Sequence, residues 1–200
     1  MKKNGIFLSI AFVEGGALMA VELISAKLIA TFFGVSLYVW ATVLALTLLG
    51  LAIGYYIGGL ISETKENAKK LLKILIASAV IISLLPHLGT LIMNFLLPLG
   101  FEIGILISGL FIVFPPLLCF GTISPLIIAL TVKEVEKTGA AAGTVYGIST
   151  LGGIFATFLF GFYIIPYKGI MISCYITAIA LICISLPLIL ALYKKQSTTR

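Results

Sequence analysis

The chain has 200 residues, of which 61% are hydrophobic and 10% charged, and a formal net charge of +6. Soluble domains carry about 25% charged residues. A soluble fold could not hide this much apolar surface, so an integral membrane protein is expected. No polar segment approaches the roughly 100 residues of a separate catalytic domain.

The opening "MKKNGIFLSIAF" has the charged and apolar parts of a signal peptide. Its apolar run continues past the usual length of about 7–15 residues, and "ALMAVE" is a poor cleavage site. The pattern predicts an uncleaved first span over 5–33. That span carries Glu14, Glu22 and Lys27. An ionisable group at mid-membrane costs about 2.5–3.5 kcal/mol on insertion scales, and such groups usually line a cavity or pair. On an ideal helix Glu14 and Glu22 differ by roughly 80° and Lys27 lies roughly 140° from either, so an ion pair within the helix is not expected. Each carboxyl is either a neutral hydrogen-bonding group or a site for a cation or proton. Lys27 is either a snorkelling anchor or a contact to another helix. These three are the candidate substrate-binding residues.

The second span, 36–62, opens near Tyr38 and Trp40, which suit an interfacial belt. Gly50, Gly54 and Gly58 then fall four apart on one stripe, a signal for close helix contact. The charge run from Glu66 to Lys73 reads as a solvated connection or a docking surface for a soluble enzyme. The third span, 71–97, holds Pro86 and the only histidine, His87. Here "LLPHLGTL" leaves room for a helix followed by a re-entrant piece. Glu102 opens the fourth span, 101–132, where a carboxylate suits a helix N-terminus. Pro115, Pro116 and Pro125 are its kink sites, as Pro86 is in the third. The fifth span, 143–165, carries Gly143 and Gly147, then Gly153, Thr157 and Gly161. These small residues read as packing positions within the bundle or as a seam between two copies. The sixth span covers 169–193. Cys119, Cys174 and Cys183 all fall in apolar runs and read as small core residues.

Orientation follows from the basic residues. Lys2, Lys3, Lys65, Lys69, Lys70, Lys73, Lys133, Lys137, Lys194, Lys195 and Arg200 share one side of a six-span chain, and Lys168 takes the other. A multi-pass protein of the inner (cytoplasmic) membrane with both termini cytoplasmic is expected. This bias accounts for the net charge, and no nucleic-acid partner is implied.

The run "VELISAKLIATFFGVSLYVWATVLALTLLGLAIGYYIGG" resembles the start of the membrane domain fused to bacterial spermidine synthases, at Glu22, Lys27, Gly34, Ser36, Tyr38, Gly50 and Gly54. "GTISPLIIAL" resembles that family's Gly-Thr-x-x-Pro segment at Gly121, Thr122 and Pro125. "GTVYGISTLGGIFATFLFGFYIIPYKG" resembles its fifth helix at Gly143, Tyr146, Thr150, Gly152, Gly161, Pro166 and Gly169. Three positions depart: Lys27 stands for the usual arginine, Thr31 for a proline, and Ser149 for an asparagine. The aminopropyltransferase domain has no counterpart in this sequence. The resemblance implies an all-α fold like half of a major facilitator transporter, six helices in two groups of three. No three-helix repeat is visible in the sequence.

With no nucleophile–base set and no metal-ligand spacing, neither enzymatic activity nor a cofactor is expected. Two functions stand. The first is a transporter-like protein for a cationic metabolite such as a polyamine, with a homodimer supplying the usual twelve helices. The second is a membrane scaffold that recruits a separate soluble aminopropyltransferase.

Overall fold

A computed structural model describes residues 2–64, 66–132 and 137–197. Lys65, Lys133 and Arg200, counted above in the charge bias, lie outside the described residues. Every regular element among them is helical: α1 (Lys2–Phe33), α2 (Leu37–Ser62), α3 (Asn67–Leu96), α4 (Phe101–Ile112), α5 (Phe114–Thr131), α6 (Thr138–Leu159) and α7 (Ile165–Ser197). A 3₁₀ turn, Leu97–Leu99, precedes α4, and a π turn, Phe160–Ile164, joins α6 to α7. Five helical stretches are long and apolar enough to cross a membrane. The last runs from Thr138 to Leu190 over 53 residues, longer than the roughly 20 that one crossing needs. It is broken at Gly169, whose φ of 78° and ψ of 176° leave the helix.

The expected boundaries shift in specific ways. The third span begins at Asn67 and runs unbroken through "LLPHLGTL" to Leu96, so that stretch forms no separate re-entrant piece. Pro86 stays inside the helix, buried. The fourth expected span divides at Val113 into α4 and α5, just before Pro115 and Pro116. Proline has no N–H and clashes with the preceding turn, which places the division there. The fifth begins at Thr138, five residues earlier than expected, because Gly139 and Gly143 do not interrupt the helix.

Connections between helices are short. Ser36 caps α2 by accepting a hydrogen bond from the Val39 N–H. Gly100 and Gly169 adopt nearly the same backbone, φ 87° and 78° with ψ 173° and 176°. This region is essentially restricted to glycine, so each residue fixes a sharp reversal. Between α2 and α3 the Asn67 side chain donates to the Ser62 carbonyl, and the Lys70 ammonium donates to the Ile61 carbonyl. Lys69 pairs with the exposed Glu66 and holds that carboxyl below its usual range.

The strongest packing pairs are α1 with α6, α2 with α5, and α3 with α7. Exchanging α1, α2 and α3 for α4–α5, α6 and α7 maps this set onto itself. Lipid tails give apolar helices little reason to associate, so close packing at small residues does much of the work. At the α2–α5 crossing, a Cβ on Gly54 would stand 2.7 Å from the Gly121 Cα, and one on Gly58 would stand 2.9 Å from the Thr122 Cα. Gly50 lies against Leu117 and Leu118. At the α1–α6 crossing, a Cβ on Gly15 would strike the Ser149 carbonyl and one on Gly152 the Phe12 carbonyl. Both crossings are therefore glycine contacts, and the same exchange relates them.

The small residues on α6 divide differently from the expectation. A Cβ added at Gly143 or Gly147 would meet nothing within 4 Å, and one at Gly161 would meet only the Leu23 Cδ1, at 3.9 Å. Neither Gly143 nor Gly147 is a packing position in this bundle, because α6 meets α1 on the face that carries Gly152 and Gly153. Beneath the crossings sits a continuous apolar core. Its largest fully buried side chains include Phe120, Leu117, Ile123 and Leu126 of α5, Ile10, Ile24 and Ile29 of α1, and Leu71, Leu75 and Ile82 of α3.

Candidate functional site

The three charged residues of α1 end in three different environments. Glu14 is 2% exposed, and the Ser149 hydroxyl of α6 donates to its Oε2 at 3.1 Å. Glycine contact explains how the two meet. Gly15 and Gly152 bring the helix backbones together, which puts Glu14 and Ser149, close by on each chain segment, within hydrogen-bond reach. Glu14 lies nine residues beyond Gly5, about 14 Å along the axis.

Ser149 also forms part of the wall of a cavity of about 430 Å³. Gly15, Leu18 and Met19 of α1 make its floor, Tyr55 of α2 one side, and Tyr146, Gly153, Ile154 and Phe158 of α6 the other. Tyr55 and Tyr146 meet edge to face, ring centroids 6.0 Å apart and planes at 79°. They are 37% and 39% exposed, so the space between α2 and α6 is open at this point. Both phenols lie within electrostatic range of Glu14. The arrangement is a desolvated carboxyl behind a hydroxyl, next to two aromatic faces and an otherwise apolar wall. It can hold a positive charge.

Glu22 lies one turn beyond Leu18 and Met19 and is 7% exposed. Its neighbour is Thr47 of α2. The Thr47 hydroxyl is buried and makes no hydrogen bond of good geometry, although it lies beside this carboxyl. Ser25 of α1 and Ser108 of α4 are likewise buried with unpartnered hydroxyls. Lys27 is exposed and borders a second, smaller cavity of about 180 Å³ with Leu23, Ala26, Trp40 and Gly161. The structure thus buries Glu14 behind Ser149, which lines the cavity, and separates it from both Glu22 and Lys27.

Other candidates resolve simply. His87 Nε2 lies 2.9 Å from the Tyr175 Oη, tying α3 to α7. Glu102 stands in the first turn of α4. The three cysteines are free. No group of three His, Cys, Asp or Glu side chains able to hold a metal occurs among the described residues.

Sequence reasoning missed Tyr55 as a site residue, and found Ser149 and Tyr146 only through the family resemblance. A signal was present: Tyr55 follows Gly54, so a glycine contact and a polar aromatic are adjacent on α2. What it faces depends on how α2 sits against α6. Comparison with known protein families, with curated proteins and with solved structures found no match to this chain.

Proposed function

We propose that this chain is a transporter-like, multi-pass membrane protein that binds a cationic metabolite at Glu14. The observation that carries the reading is the Glu14–Ser149 hydrogen bond at the wall of an open, aromatic-sided cavity. A carboxyl is costly at this depth, and such groups characteristically mark ion or substrate pathways. The helix pairing supports the same reading. With α4–α5 as one crossing and the break at Gly169 separating two more, the chain makes six crossings. The exchange of its first three crossings with its last three then relates segments of opposite direction, an inverted repeat of the kind found in transporters. This agrees with the half-transporter architecture that the sequence resemblance implies. The lysine bias puts both termini in the cytoplasm, and Glu14, Tyr55 and Tyr146 all stand nearer that side. Polyamines are the cations that the resemblance puts first.

The test is uptake of a panel of labelled amines, polyamines included, into proteoliposomes carrying wild type or Glu14→Gln. The variant keeps the shape and the Ser149 contact and removes the charge. Expected is uptake of at least one amine by wild type, reduced at least tenfold in the variant. Equal uptake by both proteins would overturn the assignment.

A further inference from the structure

The cavity has no carboxyl in its own wall: Glu14 stands behind Ser149, whose hydroxyl donates to it, and much of the rest of the wall is apolar. Leu18 and Met19 on its floor and Ile154 and Phe158 on its far side offer no polar group. Thr150 and Thr157 also line it; their hydroxyls donate to the Tyr146 and Gly153 carbonyls at 2.8 Å and keep only neutral acceptor lone pairs for a ligand. The remaining polar features are the Tyr55 and Tyr146 phenols and Ser149, gathered at the Glu14 end. Glu22 is not part of the wall; it lies beside Thr47. The charge that this site can neutralise is therefore a single one, and it sits at one end.

From this distribution we infer that the ligand of the Glu14 cavity is a monoammonium with an apolar or aromatic body, rather than a polyamine. The inference rests on the cation-binding reading above and narrows its substrate class. The ammonium donates to the Ser149 hydroxyl, with the Glu14 carboxyl directly behind it, and the aromatic faces of Tyr55 and Tyr146 add cation–π attraction. The body lies along Leu18, Met19, Ile154 and Phe158, which reward burial of apolar surface. A linear triamine places its second and third ammonium groups against those same side chains. Each then loses water with at most a neutral threonine hydroxyl as acceptor, and a buried charge without a counter-charge is strongly disfavoured.

Three ligands separate the possibilities in calorimetric titrations of the full chain in detergent. They are phenethylammonium, spermidine, and neutral 2-phenylethanol. Expected is binding of phenethylammonium at least tenfold tighter than of spermidine or the alcohol, and at least tenfold weakened by Glu14→Gln. Tyr146→Ala is the second variant, chosen because its side chain is partly exposed and outside the buried core. It should weaken phenethylammonium at least threefold. Tighter binding of spermidine, sensitive to Glu14→Gln, would overturn the monoammonium assignment and leave the cation site standing. Binding of the alcohol as tight as that of the amine would overturn both. So would phenethylammonium binding indifferent to Glu14→Gln and Tyr146→Ala, or binding of neither amine.

Discussion

Glu14 and Glu22 are the same residue type on the same helix, and their surroundings part them. Glu14 has a hydroxyl donor from another helix and a cavity beyond it. Glu22 lies beside Thr47, whose hydroxyl has no closed hydrogen bond. Replacing Glu22 by Leu puts an apolar group there and leaves the Thr47 hydroxyl without a polar neighbour. The Thr47 hydroxyl already lacks a hydrogen bond, so Glu22→Leu should lower thermal stability in detergent by less than the roughly 1–3 kcal/mol of a newly unsatisfied buried group, while Glu22→Gln should stay within about 1 kcal/mol of wild type. Similar melting of both variants would show that Glu22 holds no polar contact in the fold. The buried Ser108 hydroxyl gives the converse case. It has no partner, so Ser108→Ala removes a liability and should leave the melting temperature unchanged or raise it. A clear fall would reveal a hydrogen bond at that position.

The helices are organised by where their glycines meet. Gly152 has the Phe12 carbonyl where its Cβ would be, whereas Gly147, just over one turn away on the same helix, has open space. The two predict opposite responses to one methyl group. Gly152→Ala must push α6 away from α1, costing about 1–3 kcal/mol on the scale of overpacking. Because it loosens the same crossing that joins Ser149 to Glu14, it should also weaken amine binding. Gly147→Ala should fold and melt like wild type. Equal behaviour of the two variants in a detergent melting assay would contradict the α1–α6 packing. On α2, Gly54→Leu should be more damaging still, since the Gly121 backbone opposes it. Gly169 acts through conformation instead. Its φ of 78° with extended ψ suits only glycine, and Gly169→Ala should cost about 1–3 kcal/mol by straining the reversal before the rest of α7. An unchanged melting temperature would place the break elsewhere.

At the level of the whole molecule, the proposed six-crossing arrangement makes a prediction about sides. Lys69 lies just after the α2–α3 connection and Lys168 just before the Gly169 break. Single cysteines at these positions, in a background lacking the three native cysteines, should label from opposite faces of the membrane, with position 69 reached from the cytoplasm. Labelling of both from one face would overturn the topology and with it the inverted relation between the two groups of helices.

Some of this was legible in the residues alone and some was not, for a physical reason. Composition and hydropathy report the solvent around each segment, so the sequence by itself determined an all-helical membrane protein and most of its helix ends. The stripe Gly50, Gly54, Gly58 was readable because spacing of four is a property of one helix. The equally regular Gly143 and Gly147 misled, since spacing does not say which face meets a neighbour. Whether Glu14 or Glu22 meets a cavity-lining partner such as Ser149 depends on the rotation of α1 against α2 and α6, and so does the pairing of Tyr55 with Tyr146. Those relations join residues far apart in the chain. Only the tertiary structure decided them, through backbone contacts at Gly15 and Gly152 that fix the helix rotation.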